Sequence, residues 1–436
     1  MNVGFADYLK RFEAEPVVLL AEEEYAPQEH NDRQTVAKSF ALGIEQAKER
    51  HPAAEALILY AAQLAAEPIP LYFFIQGGEK LGEPFAALTE AELDKAIAAL
   101  RRFALVDVDE IEDERDPEIK TKTLRLHRLV RLVAGARLEG KAREAARRGL
   151  IEAMAVVYPM GVFGDPKCWP RARRLDALAL VLMEKDALPA GSEAAGSWLL
   201  DRLASYRQTA LGAYRAALPL MEKALALAEQ SYPLDQPEIA PRLSNLGDLL
   251  RNLGGAENLE KARAHLSRAL AIGEKAPEQE HHTVAIRLSV LALVLLDIGG
   301  TENLEKARGN LERAVSIGEE ALPKDDPDLA VWLSNLAAVL RALGGVENLE
   351  NASAHLARAL AIDEKALGPE HPQIAIFLSN LAAVLDDIGG TDNIARAREN
   401  LIRAERIFRQ ALGDEHPHTQ TIAASFARFR VRHGEG

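Results

Sequence analysis

Side chains that could bind another polypeptide recur at one position of a repeated string. Asn245, Asn335 and Asn380 each follow a Leu-Ser pair, and Val290 replaces the asparagine in one further copy. A side-chain amide both donates and accepts hydrogen bonds, so it can satisfy the N–H and C=O groups of an extended peptide. The alternative is that these amides bond neighbouring helices of the same chain. The sequence leaves both interpretations open.

Other polar and aromatic groups accompany these asparagines. Helical spacing places Arg251 on the same face as Asn245, and Trp332 and Phe377 each stand one residue before a repeated leucine. A surface that mixes apolar and amide groups suits a protein segment better than a metabolite. The predicted partner-binding residues are Asn245, Arg251, Trp332, Asn335, Arg341, Phe377 and Asn380.

Catalytic and metal-binding patterns are weak. Cys168 lies in DPKCWP without an evident histidine partner, and the histidines at 281–282 and 416–418 lack the spacing of a tetrahedral metal site. The string GARLEGKA, residues 135–142, is the nearest approach to a phosphate-binding loop, but it ends in alanine rather than Ser or Thr. We therefore expect no enzyme activity, no metal and no cofactor.

Composition sets the broad class. A chain of 436 residues can hold two or three domains, and a net charge of -14 disfavours a whole-molecule nucleic-acid binder, although not a local basic patch. The single cysteine excludes an internal disulfide and favours a cytoplasmic location. The N-terminus lacks the pattern of a secretory signal. No run of about 18 apolar residues occurs, so we expect no membrane span.

The elements that carry the candidate residues are repeated helix pairs. Four related strings begin at Leu243, Leu288, Leu333 and Leu378, each 45 residues after the last. In the third copy, apolar residues at helical spacing run from Pro327 to the glycine pair at 344–345, and a second amphipathic helix follows with Asn348 as its expected N-cap. One hairpin cannot bury its apolar face alone, so stacked hairpins are expected.

These motifs resemble the tetratricopeptide repeat (TPR), in a longer variety similar to that of kinesin light chains. The resemblance implies a mainly α protein with a right-handed α-solenoid over residues 198–436, in which a degenerate copy comes first and a capping half unit last. It also implies that the first helices line a concave groove, where asparagines bond the backbone of a bound protein or extended peptide. The array is expected to have a 45-residue period.

The first 197 residues do not repeat. Helical patterns come first, Thr89 and Glu92 form a capping box, and alternating strands follow at 104–111 and 120–127. Three helices and a two-stranded wing describe a winged helix. The expected domains are a helical segment at 1–50, a winged-helix-like domain at 51–140 and a helical linker at 141–197.

The order of these strings resembles the signal-transduction ATPases of the NB-ARC, or STAND, type that end in TPR arrays. The matching strings include TVAKSFALGIEQ, AAEALILYAAQLAAEPIP and LRLHRLVRLV. The family's P-loop domain has no counterpart here, so the resemblance implies a sensor or regulatory portion that docks on an NB-ARC ATPase core in cis or in trans. His127 stands where the family carries a nucleotide-sensing histidine. The alternative is a histidine packed at a strand-to-helix junction.

A nucleic-acid function is the alternative to an interaction scaffold. The expected wing is acidic and would repel phosphates. From Lys120 to Arg148, however, ten Lys or Arg residues accompany only Glu139 and Glu144. This basic helix could contact nucleic acid, although an ordinary solvated face explains it more simply. We therefore expect a non-catalytic protein–protein interaction scaffold, with a nucleic-acid-associated regulator as the alternative.

Overall fold

The computed structural model describes residues 36–184, 187–275 and 281–434. Residues 1–35 of the helical segment expected at 1–50, including its amphipathic pattern at 4–22, lie outside the described residues. The chain divides into two compact units between Ala210 and Leu211, which we call unit 1 and unit 2. The domain boundaries expected from the sequence at residues 50, 140 and 197 stay predictions.

Unit 1 is helical with one small sheet. Its elements are α1 (Val36–Arg50), α2 (Pro52–Gln63), β1 (Ile69–Pro70), α3 (Leu71–Gln76), α4 (Gly78–Leu81), α5 (Glu90–Arg101), β2 (Val106–Glu112), β3 (Lys120–Leu126), α6 (Arg128–Gly135), α7 (Gly140–Val157), α8 (Trp169–Glu184) and α9 (Glu193–Thr209).

The strands form an antiparallel sheet in the order β1-β3-β2. The β2–β3 hairpin lies where the alternating pattern predicts it, whereas β1, which pairs Ile69 with Leu124, carried no strand signal. The hairpin tip is held by Asp113, which accepts a bond from the Arg115 backbone N–H at 3.0 Å and from the Arg173 guanidinium of α8 at 2.6 Å. The tip is therefore fixed to α8.

Unit 2 is a series of helix hairpins. Its helices are α10 (Tyr214–Ser231), α11 (Ala240–Leu253), α12 (Ala256–Gly273), α13 (His281–Ile298), α14 (Thr301–Ala321), α15 (Pro327–Leu343), α16 (Val346–Leu367), α17 (Pro372–Ile388), α18 (Thr391–Leu412) and α19 (Pro417–Arg432). Helices α11, α13, α15, α17 and α19 are the first helices of successive units, and α12, α14, α16 and α18 are the second helices. The first helix of each pair packs on its own second helix and on the second helix of the preceding unit.

The turn inside each hairpin has one geometry. Gly344 and Gly345 both have positive φ, at 72° and 87°, a conformation that a side chain disfavours. Gly345 is the N-cap of α16, so the expectation that Asn348 caps this helix is wrong. The Asn348 amide instead donates back to the Gly344 carbonyl at 2.7 Å, and the equivalent bond recurs in the other three hairpins.

Helix α13 differs from its counterparts in composition. Its 18 residues have a mean hydropathy of 1.6. By length and composition alone, this helix could cross a membrane. The sequence-based expectation overlooked this segment because Arg287 and Asp297 interrupt the apolar run. Half of the segment is buried, and α13 packs between α12 and α14 as a first helix of the array. A buried core helix of this kind passes the same test as a membrane span.

Candidate functional site

The repeated asparagines join neighbouring first helices. The Asn335 amide nitrogen of α15 donates to the Ser289 hydroxyl of α13 at 2.8 Å, and the Asn380 amide nitrogen of α17 donates to the Ser334 hydroxyl of α15 at 3.0 Å. We call these two bonds the amide row. The amide nitrogens therefore do what the second interpretation of the sequence proposed, since each holds an adjacent helix.

The amide oxygens are used differently. Within the described residues, neither Asn335 nor Asn380 has a hydrogen bond to its side-chain oxygen, and both residues are partly exposed. An amide oxygen on a partly exposed side chain can accept a backbone N–H from a bound peptide. The two interpretations of the asparagines are therefore compatible, with one atom of each amide committed to the fold and the other open.

A second row of contacts, which we call the ion-pair row, runs near the C-terminal ends of the first helices. Arg251 donates to the Asp297 carboxylate at 3.3 Å, Arg341 to Asp387 at 2.5 Å, and the last pair joins Asp386 to Arg432. The predicted site residues Arg251 and Arg341 are thus partners of carboxylates on the next first helix. Between them, the α13–α15 junction carries the apolar residues Leu296 and Ala342 at the same two positions.

The expectation that Trp332 and Phe377 line a groove is corrected by their burial. Their exposed fractions are 2% and 1%. A Cβ atom added at Gly318 of α14 would lie 2.7 Å from the Trp332 ring, so this ring packs directly on the second helix of the preceding unit. The position before the repeated leucine therefore faces the core between units.

Two cavities open along the first helices of the last units. The first, of about 390 Å³, is lined by Leu296, Ala338, Arg341, Ala342, Leu356, Asn380, Val384 and Asp387. The second, of about 370 Å³, is lined by Arg341, Ser379, Asn380, Ala382, Ala383, Asp386, Leu401, Ser425, Arg428, Phe429 and Arg432. Both cavities share Arg341 and Asn380, and we refer to them together as the groove.

Besides the buried Trp332 and Phe377, the predicted residues Asn245, Arg251 and Asn335 line neither cavity of the groove. Asn245 on α11 is partly exposed and has a partner of its own, but it lines neither cavity of the groove. On α13, Val290 is partly exposed where the other three copies carry asparagine, and Ile286 is exposed. A role for Asn245 in partner binding stays a prediction.

The second helices carry a row of ion pairs that the sequence analysis missed. An arginine of each second helix contacts a glutamate 39 residues earlier in the chain, at distances of 2.5 to 2.7 Å, and the glutamate of the first pair lies on α10. The pairs are Arg268–Glu229, Arg313–Glu274, Arg358–Glu319 and Arg403–Glu364. We call this the second-helix row. The signal was present in the sequence, because each arginine follows its glutamate by the same interval of 39 residues.

In unit 1, His127 is an exposed N-cap. Its Nδ1 atom accepts a bond from the Leu129 backbone N–H at 3.3 Å at the start of α6. It does stand at the strand-to-helix junction, but its side chain is exposed rather than packed. A nucleotide-sensing role for His127 stays a prediction.

The basic segment of unit 1 is largely occupied by internal contacts. Arg131 donates to the carbonyls of Ala61 and Leu64, Arg137 pairs with Glu45, and Lys120 pairs with Glu112. These cations therefore hold the fold, and a nucleic-acid surface gains no support from them.

Two further candidate sites are the Cys168 thiol, as a nucleophile, and any group of His, Cys, Asp or Glu side chains, as a metal site. Burial and the adjacent Asp165 carboxylate raise the pKa of the Cys168 thiol, which lowers its thiolate fraction at neutral pH. Across residues 36–184, 187–275 and 281–434, no three His, Cys, Asp or Glu side chains are grouped to hold a metal ion.

Stacked hairpins with this turn and this register define an α-solenoid. The chain carries tetratricopeptide repeats, because the profile of that repeat family matches residues 329–373. Nothing among curated proteins matches the chain.

Several solved structures are similar to this chain at low sequence identity. The kinesin light chain TPR-like repeats of Podosopora anserina are 21% identical over 48% of this chain and 93% of theirs, with a TM-score of 0.37. A STAND protein with a TPR sensor from Pyrococcus horikoshii is 16% identical over 98% of this chain and 60% of its own, with a TM-score of 0.45. Yeast Tom70 is 14% identical over 98% of this chain and 80% of its own, with a TM-score of 0.37.

Proposed function

We propose that this protein is a non-catalytic interaction scaffold whose groove binds a segment of another polypeptide. The observation that carries the proposal is that both cavities are lined by Asn380. Its amide nitrogen donates to the Ser334 hydroxyl, whereas its amide oxygen has no hydrogen bond within the described residues. A side chain held by one atom is preorganised to present the other to a ligand. Apolar walls from Leu296, Val384 and Leu401 give room for side chains.

The test blocks the groove without touching either row of contacts. Ala338 lines the first cavity and Ala383 the second, and both are partly exposed. Peptides are first selected against the full chain from a random display library. Their affinity for Ala338→Arg and for Ala383→Arg should be at least about tenfold lower than for the parent chain, because the arginine side chain fills the cavity. Ala424→Arg, an exposed position of α19 outside both cavities, is the matched control. Equal binding to all three variants would refute the groove.

We propose further that the chain acts as the sensor portion of a STAND-type signalling protein in the cytoplasm. In that arrangement unit 1 is a winged-helix-like domain that docks on an NB-ARC ATPase core in cis or in trans. The support is the order of elements, with helices α1, α2 and α5 before the β2–β3 hairpin, and the exposed position of His127 at the start of α6.

This finer proposal has its own test. Calorimetry should show no ADP binding by the chain alone. With an added NB-ARC core protein, His127→Ala should weaken ADP binding, whereas Arg128→Ala at the neighbouring exposed position should not. No complex with such a core, or no effect of His127→Ala within it, would remove the STAND assignment and leave the groove proposal intact.

A further inference from the structure

The last junction of the array lacks the amide row. At the α13–α15 and α15–α17 junctions, a serine hydroxyl accepts a bond from the asparagine of the next first helix. At the α17–α19 junction, Ser425 occupies the asparagine position. The Ser379 hydroxyl has no hydrogen-bond partner among the residues that the structure describes, and it lines the second cavity together with Ser425.

The same junction concentrates positive charge. Arg428 of α19 takes a position that Asp248, Leu293, Ala338 and Ala383 hold in the other first helices. Its guanidinium bonds the Ser425 hydroxyl at 3.1 Å, and no carboxylate of the described residues pairs with it. Arg341 and Arg432 line the same cavity, where Asp386 is the one acidic side chain among the described lining residues.

This positive charge contrasts with the negative net charge of the chain. The segment from residue 417 to 434 holds three arginines and no acidic residue, in a chain with a net charge of -14. Arg341 and Arg432 are already paired with Asp387 and Asp386, so among the described residues Arg428 is the guanidinium of the cavity lining that has no carboxylate partner. Guanidinium groups bind carboxylates through two parallel hydrogen bonds, and a nearby hydroxyl can add a third.

We propose that the second cavity recognises an acidic segment of the partner polypeptide, with Arg428, Ser379 and Ser425 as the groups that bind its carboxylates. The inference deepens the proposed function and rests on it. A polypeptide is favoured over a free anion because the cavity continues through Arg341 and Asn380 into the more apolar first cavity. The bound segment would then place carboxylates at the α19 end and apolar side chains toward Leu296.

The test uses three fluorescein-labelled octapeptides of glutamate, of lysine and of alternating glycine and serine, with fluorescence anisotropy measured on the full chain. The glutamate peptide should bind and the other two should not. Arg428→Gln should weaken its binding about tenfold, because a charge-assisted bond is lost. Arg430→Gln removes the same charge from an exposed position of α19 that lies outside the cavity, and it should change binding less than about twofold.

Three results would overturn the inference. They are no binding of the glutamate peptide, equal losses in Arg428→Gln and Arg430→Gln, and full displacement by inorganic phosphate at equal concentration, which would indicate a site for small anions only. These failures are distinguishable from failure of the proposed function. If library peptides still lose binding to Ala383→Arg while the glutamate peptide does not bind, the groove stands and only its acidic preference is refuted.

Discussion

The first and second helices of unit 2 hold neighbouring repeats together in different ways. The second-helix row uses the same residue types at all four junctions, from Arg268–Glu229 to Arg403–Glu364. The contacts between first helices differ from one junction to the next. The amide row occurs at only two of the four junctions within the described residues. In the ion-pair row, the arginine lies on the earlier helix except at the last junction, where Asp386 lies on the earlier helix and Arg432 on the later one.

This difference separates two physical requirements of a solenoid. Each repeat is stabilised mainly by its nearest neighbours, so every junction needs a comparable interface, and one repeated contact is enough for that. A surface that binds one particular segment cannot be the same at every repeat. The uniform second helices therefore fit a packing role, and the varied first helices fit recognition.

At one buried position the second helices carry different residue types, and a substitution there has the largest expected effect on stability. Gly273, Gly318, Asp363 and Phe408 are equivalent. Asp363 is 0% exposed, and its carboxylate has no hydrogen-bond partner among the residues that the structure describes. Burial, with smaller contributions from Asp328 and Asp326, raises its pKa to about 7.

The sign of the pH dependence follows from this raised pKa. The unfolded chain ionises Asp363 near the ordinary aspartate pKa of 3.8, whereas the folded chain keeps it protonated to about pH 7. The free energy of unfolding should therefore fall as pH rises between these values and then level off, by up to about 4 kcal/mol. Asp363→Asn should remove that loss and raise the thermal midpoint at pH 8.

The control for this prediction is Glu350→Gln. Glu350 lies on the same helix, is exposed, and has no ion pair among the described residues. Thermal melts followed by circular dichroism from pH 4 to pH 9 compare both variants with the parent chain. If Asp363→Asn and the parent lose stability equally with rising pH, Asp363 is ionised at little cost and its burial has no role.

A smaller effect is expected at the equivalent glycine of α14. A Cβ at Gly318 would lie 2.7 Å from the rigid Trp332 ring, so Gly318→Ala should destabilise the chain by about 1–3 kcal/mol. Gly309 lies on the same helix with open space around it, and Gly309→Ala should stabilise by up to about 1 kcal/mol. Urea midpoints measure both changes, and opposite signs are required. Two stabilising substitutions would show that the Trp332 ring yields.

The burial of Trp332 marks the limit of what the sequence could predict. The hairpins and the glycine turns depend on local chemistry, so Pro327 and the glycine pairs indicate them directly, and the sequence also identified the N-cap Thr89, although not Gly345 as the N-cap of α16. Whether a ring faces a groove or a neighbouring repeat depends on the facing helix. Gly318 stands 14 residues before Trp332, as Gly273 stands before Arg287. Only the packing of α14 on α15, and of α12 on α13, shows that each glycine makes room for a large side chain.

The candidate site was predictable to a similar extent. Spacing alone predicted that Asn335 and Asn380 lie on neighbouring first helices, because equivalent positions of stacked repeats are neighbours. It also named Arg341, which lines the groove with Asn380. The sequence could not show that these side chains bond Ser289, Ser334 and Asp387, because those contacts depend on the offset between adjacent helices. At the α17–α19 junction, Ser425 and Arg428 both depart from the other copies, and regular positions alone do not indicate that they line one cavity with Ser379.

Breaking the amide row should affect both stability and binding. Asn335→Ala together with Asn380→Ala removes two bonds to serine hydroxyls, at a cost of about 1 kcal/mol each. The chain should stay folded by circular dichroism, while affinity for a library-selected peptide falls. The matched control is Asn303→Ala with Asn348→Ala, which removes two turn bonds instead. Equal losses of affinity in both pairs would assign the effect to stability rather than to the groove.

The smallest effects compare the two rows of ion pairs directly. Arg313→Gln breaks a pair of the second-helix row and Arg341→Gln a pair of the ion-pair row, and each should lower stability by about 0.5 kcal/mol. Both losses should vanish in 1 M salt, where the Debye length is about 3 Å. Only Arg341→Gln should also weaken peptide binding, since Arg341 lines both cavities. If Arg313→Gln weakens binding as much, the second helices contribute to recognition, and the division between a packing side and a recognition side does not hold.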